Sequence, residues 1–315
     1  MEIFFSSLNQ MAFLFLLIVI GFFLVKWRVV SSDASRVLAK LENTVFIPAL
    51  VLGTFMDNFT VEKLRSSARL LLVSAAILVV MLPLSVLIPR LLSRDKFTQN
   101  IYTYGLAFSN FGFMGNAVVA AMFPDIFLEY LIFVIPLWVG IYLWGVPKLL
   151  IPAEEEGARG LWAKVKPFCN PMFGGVVLGM VLGLLNLPLP AFFSSAVNAA
   201  GGCMSPIAML LTGITVASVD FKKLFGNGGV YVLTAVRLVL IPLVGVGVLS
   251  LLPLTRTEFV CAICSLAMPL GLNTIVVPSA YGKDPSTAAS MAIVSHLLSC
   301  GTIPVIFWLM MQIIL

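Results

Sequence analysis

Ser109-Asn110-Phe111-Gly112-Phe113-Met114-Gly115-Asn116-Ala117 and Met268-Pro269-Leu270-Gly271-Leu272-Asn273-Thr274 each interrupt an apolar run near its middle. Glycine weakens a helix interior, and proline removes a backbone donor from one. Asn110, Asn116 and Asn273 stand in the same two stretches. An asparagine brings two donors and two acceptor lone pairs, and burying them without partners costs free energy. Two readings follow. The glycines let neighbouring helices approach closely while the asparagines bond across an interface. Alternatively, two discontinuous helices meet inside the bilayer, where unwound backbone is tolerated only against protein or a water-filled cavity. Their half-helix N-termini would then offer N–H groups and positive dipole ends to an anion. One such stretch alone favours the first reading. A pair at equivalent places of a repeat favours the second, and the rest of the chain supplies that repeat.

The flanking sequence is apolar almost throughout. Of 315 residues, 60% are hydrophobic and 10% charged, and mean hydropathy is +1.08. A soluble domain carries about 25% charged residues, so this chain has too few to cover a water-facing surface. That excludes a soluble enzyme, a disordered chain and a nucleic-acid-binding module. Runs long enough to cross a bilayer as helix recur from end to end, unlike the alternating strands of about 10 residues in an outer-membrane barrel. The partner implied is the lipid bilayer. Ten spans are expected, at 8–26, 38–56, 68–92, 101–123, 128–151, 171–187, 192–217, 230–252, 258–280 and 287–314. A hydrophilic linker, 152–170, separates a first unit, 1–151, from a second, 171–315. The first run lacks a signal-peptide cleavage site and reads as a retained span.

Proline and glycine punctuate the two units alike. Pro48 answers to Pro206, Pro83 to Pro242, Gly115 to Gly271 and Pro147 to Pro304, the second member always 156 to 159 positions after the first. Ser109 and Ser265 each stand six residues before their glycine. Five spans per unit is an odd number, so the second unit must enter from the opposite side and the repeat is inverted, as in many secondary transporters. Lysine and arginine set the orientation. Joints after odd-numbered spans carry fourteen of them, among them Lys26, Arg94, Lys164 and Lys222; joints after even-numbered spans carry four, Lys63, Arg65, Arg69 and Arg256. The positive-inside rule puts the odd joints in the cytoplasm and both termini outside.

With these motifs in order, the chain resembles the auxin efflux carrier family of membrane transporters, including its bacterial malonate and malate carriers. The resemblance rests on Phe46-Ile47-Pro48-Ala49-Leu50, on Asn110 through Gly115, on Asn170-Pro171 through Gly179 and Gly183 to Pro190, on Pro206 through Leu210 with Gly213, and on Pro269 and Gly271 through Tyr281-Gly282-Lys283-Asp284 to Pro304. It covers essentially the whole chain. It implies ten all-α spans as two inverted five-helix repeats, as in the bile-acid symporters, with spans 4 and 9 crossing. Spans 1, 2, 6 and 7 would form a scaffold that dimerises, and spans 3–5 and 8–10 a transport domain that moves like an elevator. Two positions depart from the family pattern: Ala117 replaces a usual proline, and His296 a usual threonine.

The expected cargo is a small organic anion, a mono- or dicarboxylate or an auxin-like acid. It would be held by Asn110, Gly112, Gly115, Asn116, Pro269, Gly271 and Asn273. No enzyme is expected, since no central His/Asp/Glu cluster is visible, and no cofactor or metal. The coupling ion is left open between H⁺ and Na⁺: Asp57, Asp125, Asp220 and Glu258 all fall near span ends. Two ionisable groups lie inside spans. Arg237 either snorkels to the cytoplasmic end or attracts the substrate's charge. His296 is either a satisfied structural histidine or a titrating group, since free imidazole titrates near pH 6.5. Cys261 and Cys264 form a Cys-x-x-Cys that reads as packing within an apolar run. A sensor or assembly partner that keeps the fold without transport is the alternative from another class. The orientation is checked by labelling a cysteine-free variant carrying one new cysteine at Gln312: an impermeant thiol reagent is expected to react from outside intact cells. Reaction only from the cytoplasmic side would overturn the topology and the inverted repeat together.

Overall fold

In the computed structural model the described residues are 2–31, 33–150, 171–186, 189–217, 228–271, 273–274, 278 and 286–314. The expected linker, the Lys222–Lys223 joint and Tyr281 through Asp284 lie outside them. The described backbone is helical apart from turns and one isolated antiparallel bridge, Ser109 with Leu270. In chain order the helices are α1 (Glu2–Lys26), α2 (Ala34–Asn58), α3 (Val61–Leu92), α4 (Lys96–Ala107), α5 (Phe111–Met122), α6 (Pro124–Leu150), α7 (Pro171–Leu185), α8 (Ala191–Ala217), α9 (Gly228–Leu249), α10 (Arg256–Ala267) and α11 (Ser286–Ile314). Among the described residues six are long and apolar enough to cross a membrane: α2, α3 from Ser67, α6, α8, α9 and α11. The apolar part of α1 from Ala12, with α5 and α7, is shorter. Helices α4 and α10 have 12 residues each, or about 18 Å of rise, half a crossing. Both stop where the sequence places its two interruptions.

Proline shapes several of the long helices without ending them. Its ring clashes with the carbonyl four residues back and offers no N–H to it. A wider π-turn relieves this by passing hydrogen bonds to the fifth residue back. Such turns occur at Glu42–Phe46 just before Pro48, at Val236–Leu240 just before Pro242, and around Pro147 within Ile141–Leu150. Helix ends are fixed by side chains. Thr60 caps α3 by accepting from the Lys63 N–H, and Thr255 and Glu258 close a reciprocal capping box on α10. Asp95 caps α4 by accepting from the Thr98 N–H at 2.7 Å. That bond holds its carboxyl below the usual carboxylate range. The cap's stabilisation is therefore present above the unfolded carboxylate's pKa and is lost as pH falls through the lower, folded one.

Two groups of helices pack separately and then against each other. In one, α1 runs along the second half of α8, and α2 is covered by α7 and the first half of α8. In the other, α3 packs on α4 and α6, and α9, α10 and α11 pack on one another. Helix α11 also runs along α1 and so touches both groups. The α7–α2 contact is backbone on backbone. A Cβ on Gly179 would lie 2.8 Å from the Phe55 Cβ and 2.9 Å from the Leu52 carbonyl oxygen, so only glycine lets the helices come this close. Two ion pairs tie the start of α3 to its neighbours, Lys63 with Glu129 on α6 and Arg69 Nε with Glu258 on α10 at 2.8 Å. The outward faces are apolar: Leu72, Val79, Val80 and Leu87 on α3, and Val239, Leu240, Val244 and Val248 on α9, are exposed. That is the surface of a multi-pass membrane protein, with lipid as its solvent.

The glycine contact gives a stability test. Gly179→Ala is expected to destabilise the detergent-purified protein by about 1–3 kcal/mol through overpacking. Gly174→Ala, on the same helix with nothing within 4 Å of its added methyl, is expected to be neutral or slightly stabilising. Equal losses in the two melting curves would mean that α7 does not sit on α2 in this way.

Candidate functional site

The site follows from where the backbone groups freed at the two breaks find partners. Pro269 has no N–H, so the Ser265 carbonyl, four residues back, receives no helical bond from it. Asn110 has an N–H but sends it across to the Pro269 carbonyl oxygen, at 2.7 Å. This bond joins the two breaks and in turn frees the Leu106 carbonyl, four residues before Asn110. The freed carbonyls are taken up by two side chains. The Ser109 hydroxyl donates to the Ser265 carbonyl at 2.7 Å. The Arg237 guanidinium, from α9, donates to the carbonyls of Leu106, Ser265 and Met268 at 3.0, 3.2 and 3.3 Å.

The second half of the first interrupted helix starts at Phe111. The first four N–H groups of a helix have no acceptor within it; here they belong to Phe111, Gly112, Phe113 and Met114, before the Gly115 N–H closes back on the Asn110 carbonyl at 2.9 Å. Phe111, Gly112 and Phe113 border a small cavity of about 20 Å³. Its polar walls are Tyr104, Ser109, Asn110 and Asn273, Gly271 lies at the crossing, and Phe111, Phe113 and Trp138 form an aromatic side. A Cβ on Gly112 would fall 2.7 Å from the Trp138 ring, so this glycine is what lets the indole close the cavity. A larger apolar groove beside Pro83 and Trp144 opens on the exposed face of α3 and has no polar wall of this kind.

The side-chain chemistry is specific. His296 Nδ1 lies 2.7 Å from the Ala292 carbonyl oxygen, which only accepts, so this nitrogen carries the proton. The other nitrogen, Nε2, is then a free lone pair, and the Asn110 amide donates to it at 2.9 Å. The Asn273 amide donates to the Tyr104 hydroxyl at 2.9 Å, which leaves the hydroxyl's own hydrogen available to a ligand. Both asparagines are therefore held in one orientation, Asn110 by His296 outside the cavity lining and Asn273 by Tyr104 within it.

Of the residues singled out from the sequence, Asn110, Gly112, Gly271 and Asn273 come together around the cavity. Pro269 supplies the bridging carbonyl but lies outside the cavity wall. Gly115 packs under the Tyr130 hydroxyl, which itself donates to the Phe111 carbonyl at 3.1 Å. Asn116 is buried away from the cavity, and its amide oxygen has no partner among the described residues. His296 is buried one layer behind Asn110. Arg237 does not snorkel: it is 2% exposed and spends its donors on carbonyls at the breaks. Six wall residues lie outside the sequence-derived list: Tyr104, Ser109, Phe111, Phe113, Trp138 and Ile141. Tyr104 and Trp138 look like ordinary aromatics of apolar runs, and the role of Ser109 depends on the partner break. Glu42 was also missed. It is fully buried in the π-turn of α2, and neither carboxylate oxygen has a partner among the described residues. Among the described residues no group of three His, Cys, Asp or Glu is placed to hold a metal, and Cys261 and Cys264 are buried free thiols.

A helical chain with lipid-facing sides and two interrupted helices meeting over a polar cavity has the build of a membrane transport protein. The model of the membrane transport protein family matches residues 6–307, and the chain belongs to this family, that of the auxin efflux carriers. No curated protein matches it.

Proposed function

We propose that the protein is a secondary carrier for a small organic anion, a mono- or dicarboxylate, in an inner membrane. The observation that carries this is the cavity at the crossing, where Asn110 and Asn273, each held by a neighbouring side chain, meet N–H groups of the helix starting at Phe111 that no side chain among the described residues caps. The polar groups suit a carboxylate, and the aromatic side suits an apolar body. At about 20 Å³ the cavity holds little more than one water, so cargo enters only when the walls part. The ten-span, inverted-repeat architecture supplies that motion. In support, the Ser109 hydroxyl donates to the carbonyl of Ser265, its counterpart in the repeat, while the Ser265 hydroxyl donates within its own helix to the Ala262 carbonyl. In this reading α1, α2, α7 and α8 form a scaffold, through which two copies pair. Helices α3–α6 and α9–α11 carry the site past it as an elevator, and both termini face outside.

Counterflow of labelled carboxylates into proteoliposomes tests the function. A panel of malonate, malate and aromatic acids is expected to contain at least one counter-transported anion. Asn273→Ala and Asn110→Ala are each expected to weaken its affinity about ten- to a hundredfold, the loss of one hydrogen bond to a charged ligand, with melting temperatures little changed. Wild-type affinity in a folded variant removes that side chain from the site, and a panel without counterflow overturns the carrier.

His296 offers a proton to this cycle. On protonation Nε2 becomes a donor, and Asn110 must turn its oxygen toward it. The Asn110 amide hydrogens are then released to the anion. Affinity for a fully ionised carboxylate is expected to weaken as pH rises through the imidazole's titration, and His296→Thr is expected to flatten that profile. Superimposable profiles would leave the histidine a structural role only.

A further inference from the structure

Arg237 carries a full positive charge into the middle of the protein, and among the described residues no carboxylate pairs with it. Its three hydrogen-bond partners among the described residues are all carbonyls at helix C-terminal ends: Leu106 at the end of α4, and Ser265 and Met268 at the end of α10. A helix C-terminus behaves as roughly half a negative charge. Two such ends meeting at one point amount to about one negative charge, and one guanidinium matches it. A rigid planar fork with five N–H groups is also the side chain that can reach several carbonyls of two helices at once.

This pairing has a consequence for the other side of the crossing. An interrupted helix brings one carbonyl end and one amide end to the break, opposite in sign. With both carbonyl ends occupied by Arg237, the local field at the cavity is weighted toward the N–H groups from Phe111 onward, which no side chain among the described residues caps. Ser109 is common to the wall of that cavity and to the wall of a smaller one, about 10 Å³, which Arg237 borders with Ser74, Leu78 and Ser265. The two compartments are thus one residue apart. The repeat explains why a single arginine suffices. The spacing that relates Pro83 to Pro242 relates Leu78 to Arg237. Leucine and arginine thus face the same small cavity from the two units, and the one charge near the axis serves both breaks.

We propose that Arg237 determines the charge preference of the transport site without touching the cargo. It neutralises the carbonyl ends of both interrupted helices, ties those ends together, and so leaves the crossing selective for anions. The inference rests on the carrier reading for its cargo, but the tie between the helix ends stands apart from it.

Two measurements separate these parts. The first needs no ligand: amide hydrogen exchange in segments 104–110 and 265–271 of the purified protein. Arg237→Gln is expected to speed exchange in both segments together, by tenfold or more. Unchanged exchange, or a change in one segment only, overturns the tie. The second measures binding of two carboxylate–amide pairs, malonate with malonamide and benzoate with benzamide. Wild type is expected to favour the carboxylate, and Arg237→Gln to lose roughly tenfold or more of that preference, as expected for removing a unit charge across a partly buried distance. Arg237→Lys keeps the charge but not the fork. It is expected to retain most of the carboxylate preference while still showing the faster exchange, and it serves if the glutamine variant does not fold. A folded Arg237→Gln with the wild-type ratio, or an Arg237→Lys that loses the preference fully, overturns the assignment. If wild type binds no member of either pair, the carrier reading fails for these anions, and the exchange data alone decide the tie.

Discussion

The hydrogen bond from the Asn110 amide to the Pro269 carbonyl is the point on which the interior depends. In hydrocarbon every backbone donor and acceptor needs a partner within the protein, so a helix broken at mid-membrane must find replacements for the bonds it drops. Here each break supplies what the other lacks. Pro269 cannot donate, and its carbonyl receives the Asn110 N–H. The donor that Asn110 withdraws from its own helix leaves the Leu106 carbonyl to Arg237, and the donor Pro269 never had leaves the Ser265 carbonyl to Ser109 and Arg237. Neither break is viable without the other. Their meeting is required by the same chemistry that makes straight helices the default in a membrane.

Around that contact the molecule divides its polar groups by task. Arginine and serine answer carbonyls on one side. On the other, Tyr104 beside Asn273 and His296 behind Asn110 fix which way each amide faces. An amide held this way meets a ligand without first losing rotational freedom, which lowers the cost of binding. The wall opposite is aromatic, and its closeness depends on the missing side chain of Gly112 beneath Trp138.

Much of the fold was legible in the sequence because its signals are local. Apolar run lengths place the helices, and described helix starts fall within four residues of the expected ones except for α1, α3 and α4, whose first turns begin five to seven residues earlier; Gly115, Pro269 and Gly271 mark the two interruptions. The asparagines beside the breaks were also legible, since a buried amide in an apolar run needs a reason. What the sequence hid depends on contact between distant segments. Arg237 looked like a residue near a helix end, and only the convergence of Leu106, Ser265 and Met268 gives it three partners at depth. Asn116 shares a stretch with Asn110 but turns away from the cavity, because a helical turn separates the directions of neighbours that a sequence places side by side. Tyr104 and Trp138 carry no mark that separates a cavity wall from a packed core.

The Tyr130 hydroxyl lies in the volume that a side chain at position 115 would fill, and it bonds there to the Phe111 carbonyl. The two positions are therefore one unit of variation. A larger residue at 115 requires a smaller one at 130, and a smaller one at 130 removes the hydroxyl that the Phe111 carbonyl accepts beside the helical Asn116 N–H, so the two changes are coupled. The helix break would then be inherited as a coordinated set of residues, with its shape preserved while its individual letters drift.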